Sequence, residues 1–241
     1  MEEALRVLDG AKKIDVFEQA RVDPSVPIET SVAALAGLVA EGKIGGIGLS
    51  EVSSATIRRA AAVAEIAAVE IELSLFTTDV LRNGVADTCH ERKYSGTVLR
   101  FPFLGLTISV IVGIALVAYS PVSRGWLTGE FRKPGDIPET DLRRHLPRFQ
   151  PGAFEQNFKL VEAVEKIAER KGASVAQVAI AWVRRQGAIP IPGSRRVERV
   201  VENCQDVELN ADDLAEIQTL LESLPITGGR YPPAFEALLS Q

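Results

Sequence analysis

Short apolar runs set among amphipathic stretches constrain this chain more than any other feature. KIDVFE, IGGIGLS, AAVEIELS, IALVAYS and AIPIPGS recur with helical patterns between most of them. Strand followed by helix, repeated, is the pattern of parallel β/α architecture. The runs place five strands near residues 14–18, 45–49, 67–72, 114–119 and 188–191. IETSVAALAGLVAEGK carries an apolar helical stripe and closes on Gly42, and SSATIRRAAAVAE opens on Ser/Thr caps. GAFEQNFKLVEAVEKIAERKG and SVAQVAIAWVRRQG both end on glycine, and NADDLAEIQTLLESL opens on Asn210 with acidic residues in its first turn, where the helix dipole favours them. No repeat, linker or low-complexity tract separates these units, so residues 1–241 are expected to form one domain. A closed (β/α)8 barrel needs eight strands in about 250 residues. Five strands, a long loop, an insertion and C-terminal helices therefore predict an incomplete TIM barrel, with about strands 4 to 8 present and the first three βα units missing.

Composition narrows the function classes. With 46% hydrophobic and 24% charged residues, the chain can bury a sizeable core. Its 27 basic against 32 acidic side chains give a formal net charge of −5, so nothing draws it to nucleic acid or anionic lipid. The two cysteines, Cys89 and Cys204, and the two histidines, His90 and His145, have no metal-ligand spacing, which points to a reducing, cytoplasmic setting without a metal. MEEALRVLDGAKK lacks the apolar region of a secretory signal and is too acidic for a transit peptide. Phe101–Tyr119 is uncharged and long enough to span a bilayer, yet Pro102, Gly105, Gly113 and its β-branched content oppose a membrane helix.

Two stretches carry candidate chemistry. AIPIPGSRRVERVVEN, residues 188–203, runs from a strand into a polar helix with Arg199, Glu202 and Asn203 at helical spacing. A serine hydroxyl, backbone N–H groups at a helix N-terminus and a planar guanidinium suit a dianionic phosphate. The bland alternative is a capped surface helix with an i, i+3 Arg–Glu pair. AYSPVSRGWLTG follows the fourth strand, where Gly125 allows close backbone approach and Arg124 adds charge; the alternative is a core tyrosine followed by a Ser-Pro turn.

In order, DVFEQARVDP, GKIGGIGLSEVS, AAVEIELSLF, VAYSPVSRGWLTGEF, IPIPGS…R…EN and GGRY resemble the aldo-keto reductases, most closely their fungal pyridoxal reductase branch. The resemblance runs from about residue 10 to the C-terminus, apart from residues 93–112. It implies a TIM barrel of the aldo-keto reductase type that binds NADPH at the C-terminal mouth and passes hydride to a small-molecule aldehyde or ketone, here pyridoxal to pyridoxine. By the same resemblance Gly193, Ser194, Arg199, Glu202 and Asn203 hold the adenosine and its 2′-phosphate. Tyr119 stacks on the nicotinamide, while Ser120, Arg124, Gly125 and Leu127 contact the phosphates. Ser50, Glu51 and Glu70 stand where a serine, an asparagine and a glutamine usually hold the carboxamide. An ionised glutamate accepts but cannot donate, so two carboxylates at one amide repel unless one is neutral. On the residues alone, Glu51 is a helix N-terminal acid and Glu70 part of an ion pair.

The family's proton-delivering tyrosine, lysine and aspartate belong to the units expected to be missing, and Ala20, followed by Arg21, stands where a histidine often sits. No catalytic residue is assigned, and neither His90 nor His145 lies at a strand end. RKYSGTVLRFPFLGLTISVIVG, spanning the atypical insertion near 93–112, reads as translated non-coding sequence accompanied by a start codon placed too late. A true extra hairpin or membrane-touching loop is the alternative. The expected function is NADPH-dependent carbonyl reduction; a catalytically inactive cofactor-binding or truncated homologue is the alternative.

Overall fold

A computed structural model describes residues 2–91, 100–101, 106–107 and 113–236. It contains β1 (Phe17–Gln19), β2 (Ile47–Ser50), β3 (Ile66–Glu72), β4 (Arg100–Phe101), β5 (Leu106–Thr107), β6 (Ala115–Tyr119) and β7 (Ile189–Pro190). The helices are α1 (Glu2–Leu8), α2 (Ile28–Ala40), α3 (Ser54–Ala61), α4 (Val85–Glu91), α5 (Ala153–Lys171), α6 (Val175–Arg185), α7 (Val197–Cys204), α8 (Ala211–Ser223) and α9 (Pro233–Glu236). Five strands form one parallel sheet in the order β1-β2-β3-β6-β7, as the alternating pattern predicts. Of the insertion near 93–112, only the antiparallel pair β4 and β5 is described; its origin lies outside the described residues. Among the described residues no helix is long and apolar enough to cross a membrane.

The chain divides into two compact units, one from Met1–Ile71 and Val80–Val117, the other from Glu72–Asp79 and Ala118–Leu238. In the first, β1 and β2 pair in register Phe17↔Ile47 and Gln19↔Leu49, and β2 meets β3 with Ser50 opposite Glu70. The first strand starts later than its apolar run suggests, because Ile14 makes only an isolated bridge to Ile44 before the ladder begins at Phe17. Ile28 and Val32 of α2, Ile57 and Ala60 of α3 and Val85 of α4 bury the apolar stripe of each helix, and Ile47, Leu49, Val69 and Ile71 of the strands are buried as well. Ser53 caps α3 by accepting the Thr56 N–H at 3.2 Å.

In the second unit α5 supplies Phe154, Leu160, Val161, Val164 and Ile167, and α6 supplies Val178, Ile180 and Val183. Capping boxes open α6 (Ser174 with Gln177) and α8 (Asn210 with Asp213), satisfying N–H groups that a helix start leaves unpaired. Trp126 lies 1% exposed against Phe76, Phe149 and Phe154, with ring centroids 5.2, 4.9 and 4.5 Å away. The stretch after β6, expected as one long loop, is a chain of 3-10 turns at Ser123–Thr128, Pro134–Asp136, Leu142–His145 and Pro147–Phe149. Prolines at 134 and 147 preset φ at the starts of two of them.

Candidate functional site

Within the second unit an open groove of about 1000 Å³ runs beside the loop after β6 and the segment before α7. Ser120, Arg124, Gly125, Gly193 and Arg199, all assigned from the sequence, line it together with Glu130, Asp141, Arg143 and Arg195. Four arginines against two carboxylates make this groove positive in a chain of net charge −5.

The loop's backbone is unusual. Ser120, Ser123 and Arg124 have φ of 51°, 51° and 57°, and Gly125 follows at 99°. Left-handed non-glycine residues persist only where surroundings hold them. Here Arg143 Nη1 donates to the Arg124 carbonyl at 2.7 Å and Thr128 Oγ1 donates to the Gly125 carbonyl at 2.7 Å. Asp141 holds the Arg143 guanidinium at 2.6 Å, and Phe131 stacks beneath it at 4.6 Å. A Cβ at position 125 would sit 2.7 Å from Arg143 Nη1, so the glycine is required by this internal grip as well as by its φ. A Cβ at Gly193 would meet nothing within 4 Å, leaving that backbone approachable from the groove.

The remaining assigned residues have more local roles. Leu127 is fully buried in the core, so only its backbone can reach a ligand. Tyr119 ends β6 half-buried, its carbonyl accepting the Leu73 N–H at 3.4 Å. The Ser194 hydroxyl accepts the Arg196 N–H at 3.1 Å, turning the chain into α7. Glu202 and Asn203 are half-buried on α7, and the Glu202 carbonyl accepts from Gln177 Nε2 at 3.3 Å. Arg199 pairs with Glu130, which also holds Arg196 at 3.1 Å.

Arg124 turns its guanidinium to Glu72, 3.4 Å away, and stacks over Tyr231 at 4.1 Å. Glu72 is a buried carboxylate on which Arg148 and Arg230 also converge at 3.7 and 3.9 Å, with the Thr77 hydroxyl donating at 3.0 Å. Burial pulls the Arg148 guanidinium below its usual pKa, partly offset by Glu72. This cluster was not foreseen: GGRY was legible as a motif, but nothing local links it to a glutamate more than a hundred residues earlier. Arg143 and Asp141 were equally invisible, lying in a stretch without periodicity.

The first unit places Ser50, Glu51 and Glu70 at the ends of β2 and β3. The Ser50 hydroxyl accepts from Arg21 Nη1 at 3.2 Å. Glu51 is buried with φ 51°, its N–H donating to the Glu70 carbonyl at 2.9 Å. Asparagine adopts that backbone more readily than glutamate. Glu70 also acts on Glu18, whose carboxyl is pushed up to about 7 by burial and then by Glu70, against a hydrogen bond from Ser50 and the charge of Arg21. Gly48 lets Glu18 lie across β2, since a Cβ there would be 3.0 Å from the Glu18 Cβ. Among the described residues no His/Cys/Asp/Glu group could hold a metal.

The model of the Aldo/keto reductase family matches residues 1–105 and 106–222. Probable pyridoxal reductase 2 of Schizosaccharomyces pombe is 36% identical over 246 residues, covering 98% of this chain and 68% of that protein. Aldo-keto reductase yakc [NADP(+)] of the same organism is 37% identical over 230 residues, covering 93% and 62%. Aldo-keto reductase str7 of Strobilurus tenacellus is likewise 37% identical, and this chain spans 62% of its length. The solved glycerol dehydrogenase AKR11B4 of Gluconobacter oxydans superposes with a TM-score of 0.78 at 25% identity, over 96% of this chain and 64% of its own. The matched family model, the parallel β/α sheet and these relatives together show that the chain belongs to the aldo/keto reductase family of oxidoreductases.

Proposed function

We propose that the chain is an NADPH-dependent oxidoreductase that reduces an aldehyde or ketone to an alcohol, with pyridoxal as substrate and pyridoxine as product. The observation that carries this reading is the positive groove of the second unit, where Arg199 and the left-handed turn at 123–125 flank open backbone at Gly193. The Ser123 and Gly125 N–H groups donate within the turn, to the Ser120 and Val122 carbonyls at 2.8 and 3.1 Å, so the turn contributes by fixing where the backbone and the Arg124 side chain stand. Arg199 offers a dinucleotide's 2′-phosphate a charge-assisted hydrogen bond, and the Gly193 backbone leaves room beside it. NADPH, when bound, supplies the hydride that reduces the carbonyl carbon. Arg143 holds the 123–125 turn in place, and Glu72 keeps the Arg124 guanidinium against Tyr231. We also read the setting as cytoplasmic, supported by the free thiols of Cys89 and Cys204.

A chain that binds the cofactor without turnover is the second reading. It is favoured by the groove itself, because no tyrosine or histidine stands among its described lining residues to act as general acid. Calorimetric titration with NADPH and NADH, followed by a pyridoxal reduction assay, separates the two. We expect NADPH to bind in preference to NADH, and Arg199→Ala to weaken NADPH by about 1.5–3 kcal/mol, the range for a hydrogen bond to a charged group. Equal affinity for both nucleotides, unaffected by the substitution, refutes the cofactor reading. Binding without turnover selects the second one.

A further inference from the structure

Glu130 enters the groove directly after Gly129, whose φ of 72° turns the chain out of the preceding 3-10 segment. One of its carboxylate oxygens, Oε1, receives both the Arg196 and the Arg199 guanidinium, the former at 3.1 Å. Two cationic forks converging on one anionic oxygen are also how arginines hold a phosphate oxygen. The neighbouring acid of the same stretch, Asp136, is spent on the backbone N–H groups of Arg132 and Lys133 at 2.7 and 3.0 Å, and Arg132 is taken by Glu165. Glu130 is thus the acid of this segment that faces the arginines of α7 and its lead-in. It sits 44% exposed, so its side chain is free to swing to solvent when another anion arrives.

We propose that Glu130 is a specificity-determining residue, an internal stand-in for the ligand phosphate that must leave Arg196 and Arg199 before a phosphorylated dinucleotide can use them. The inference rests on the NADPH reading above and deepens it. A 2′-phosphate, with two negative charges, displaces a single carboxylate. An unphosphorylated ribose hydroxyl offers the arginines no such return and leaves the Glu130 pairs intact. Glu130 therefore raises the threshold for every ligand that engages Arg199 and has little bearing on one that does not.

Calorimetric titration of NADPH and NADH into wild type, Glu130→Gln and Glu130→Lys tests this, with thermal melts confirming that each variant is folded. Removing an exposed ion pair of this kind should tighten NADPH about two- to fivefold, the upper part of the range for surface pairs. Glu130→Lys should tighten it further, and NADH should stay within error in all three proteins. Weaker NADPH binding in Glu130→Gln would show that the carboxylate clasps the ligand rather than standing in for it, and overturns the proposal. So does an unchanged affinity in a variant that still binds NADPH. If no protein binds either nucleotide, the cofactor reading falls and takes the proposal with it.

Discussion

Glu70 and Glu72 stand two residues apart on β3, on the same face of the strand, and meet opposite surroundings. Glu70, half-buried in the first unit, adds to the burial that raises the pKa of a second carboxyl, Glu18, with the Ser50 hydroxyl and Arg21 as partial relief. Glu72, 1% exposed in the second unit, is ringed by Arg124, Arg148 and Arg230. A carboxylate at a strand end is thus not one kind of site. Where arginines from several segments converge, it ties those segments together. Where the neighbour is a half-buried acid, that neighbour, here Glu18, holds its proton up to about 7.

The largest expected effect comes from breaking the arginine cluster. Glu72→Ala leaves three poorly solvated guanidinium groups without their common partner, and should destabilise the protein by about 3–5 kcal/mol, as loss of one member of a buried ion pair does. Urea unfolding measures it; a loss below about 1 kcal/mol would mean that the arginines find other partners or water.

Glu18 should give a smaller effect, confined to a pH window. Its folded carboxyl titrates at about 7 against an ordinary 4.5, so the folded state holds that proton more tightly than the unfolded chain does. The stabilisation is full below about pH 4.5 and is lost as pH rises through about 7. Glu18→Gln should flatten the stability profile across that window and gain on wild type above it. Parallel profiles for the two proteins would remove the proton-holding role.

The smallest effect sharpens the contrast from the outside. Arg59 and Glu29 form a bidentate pair at 2.7 Å on the surface of the first unit, shorter than the 3.4, 3.7 and 3.9 Å of Arg124, Arg148 and Arg230 to Glu72. Even so, Arg59→Ala should leave the urea midpoint almost unmoved, because water and salt already solvate both groups. A loss comparable to that of Glu72→Ala would show that hydrogen-bond geometry, not burial, governs the difference.

Much of the fold was legible because it is written in local periodicity. The runs around Ile47–Ser50, Ile66–Glu72 and Ala115–Tyr119 became strands within a residue or two of their expected bounds. Ser53 and Asn210 cap helices where their side chains announced it, while Ser174 caps a helix of which only the closing glycine was read. In the groove, Ser120, Arg124, Gly125, Gly193 and Arg199 were readable from motif order, since each motif sits at a strand end and strand ends share one edge of a parallel sheet.

Which partner each charge takes was not legible. Arg124 and Arg199 were expected to face a phosphate, yet one is held by Glu72 and the other by Glu130. Sequence by itself determined the alternation of strand and helix, because backbone periodicity and capping act over a few residues. Only the tertiary structure decided that Glu72 gathers arginines from three distant segments, that Glu18 sits beside Glu70, and that Arg143 grips the carbonyl of Arg124. The physical reason is that electrostatic energy and desolvation depend on distances across the fold, which residue order along the chain does not encode.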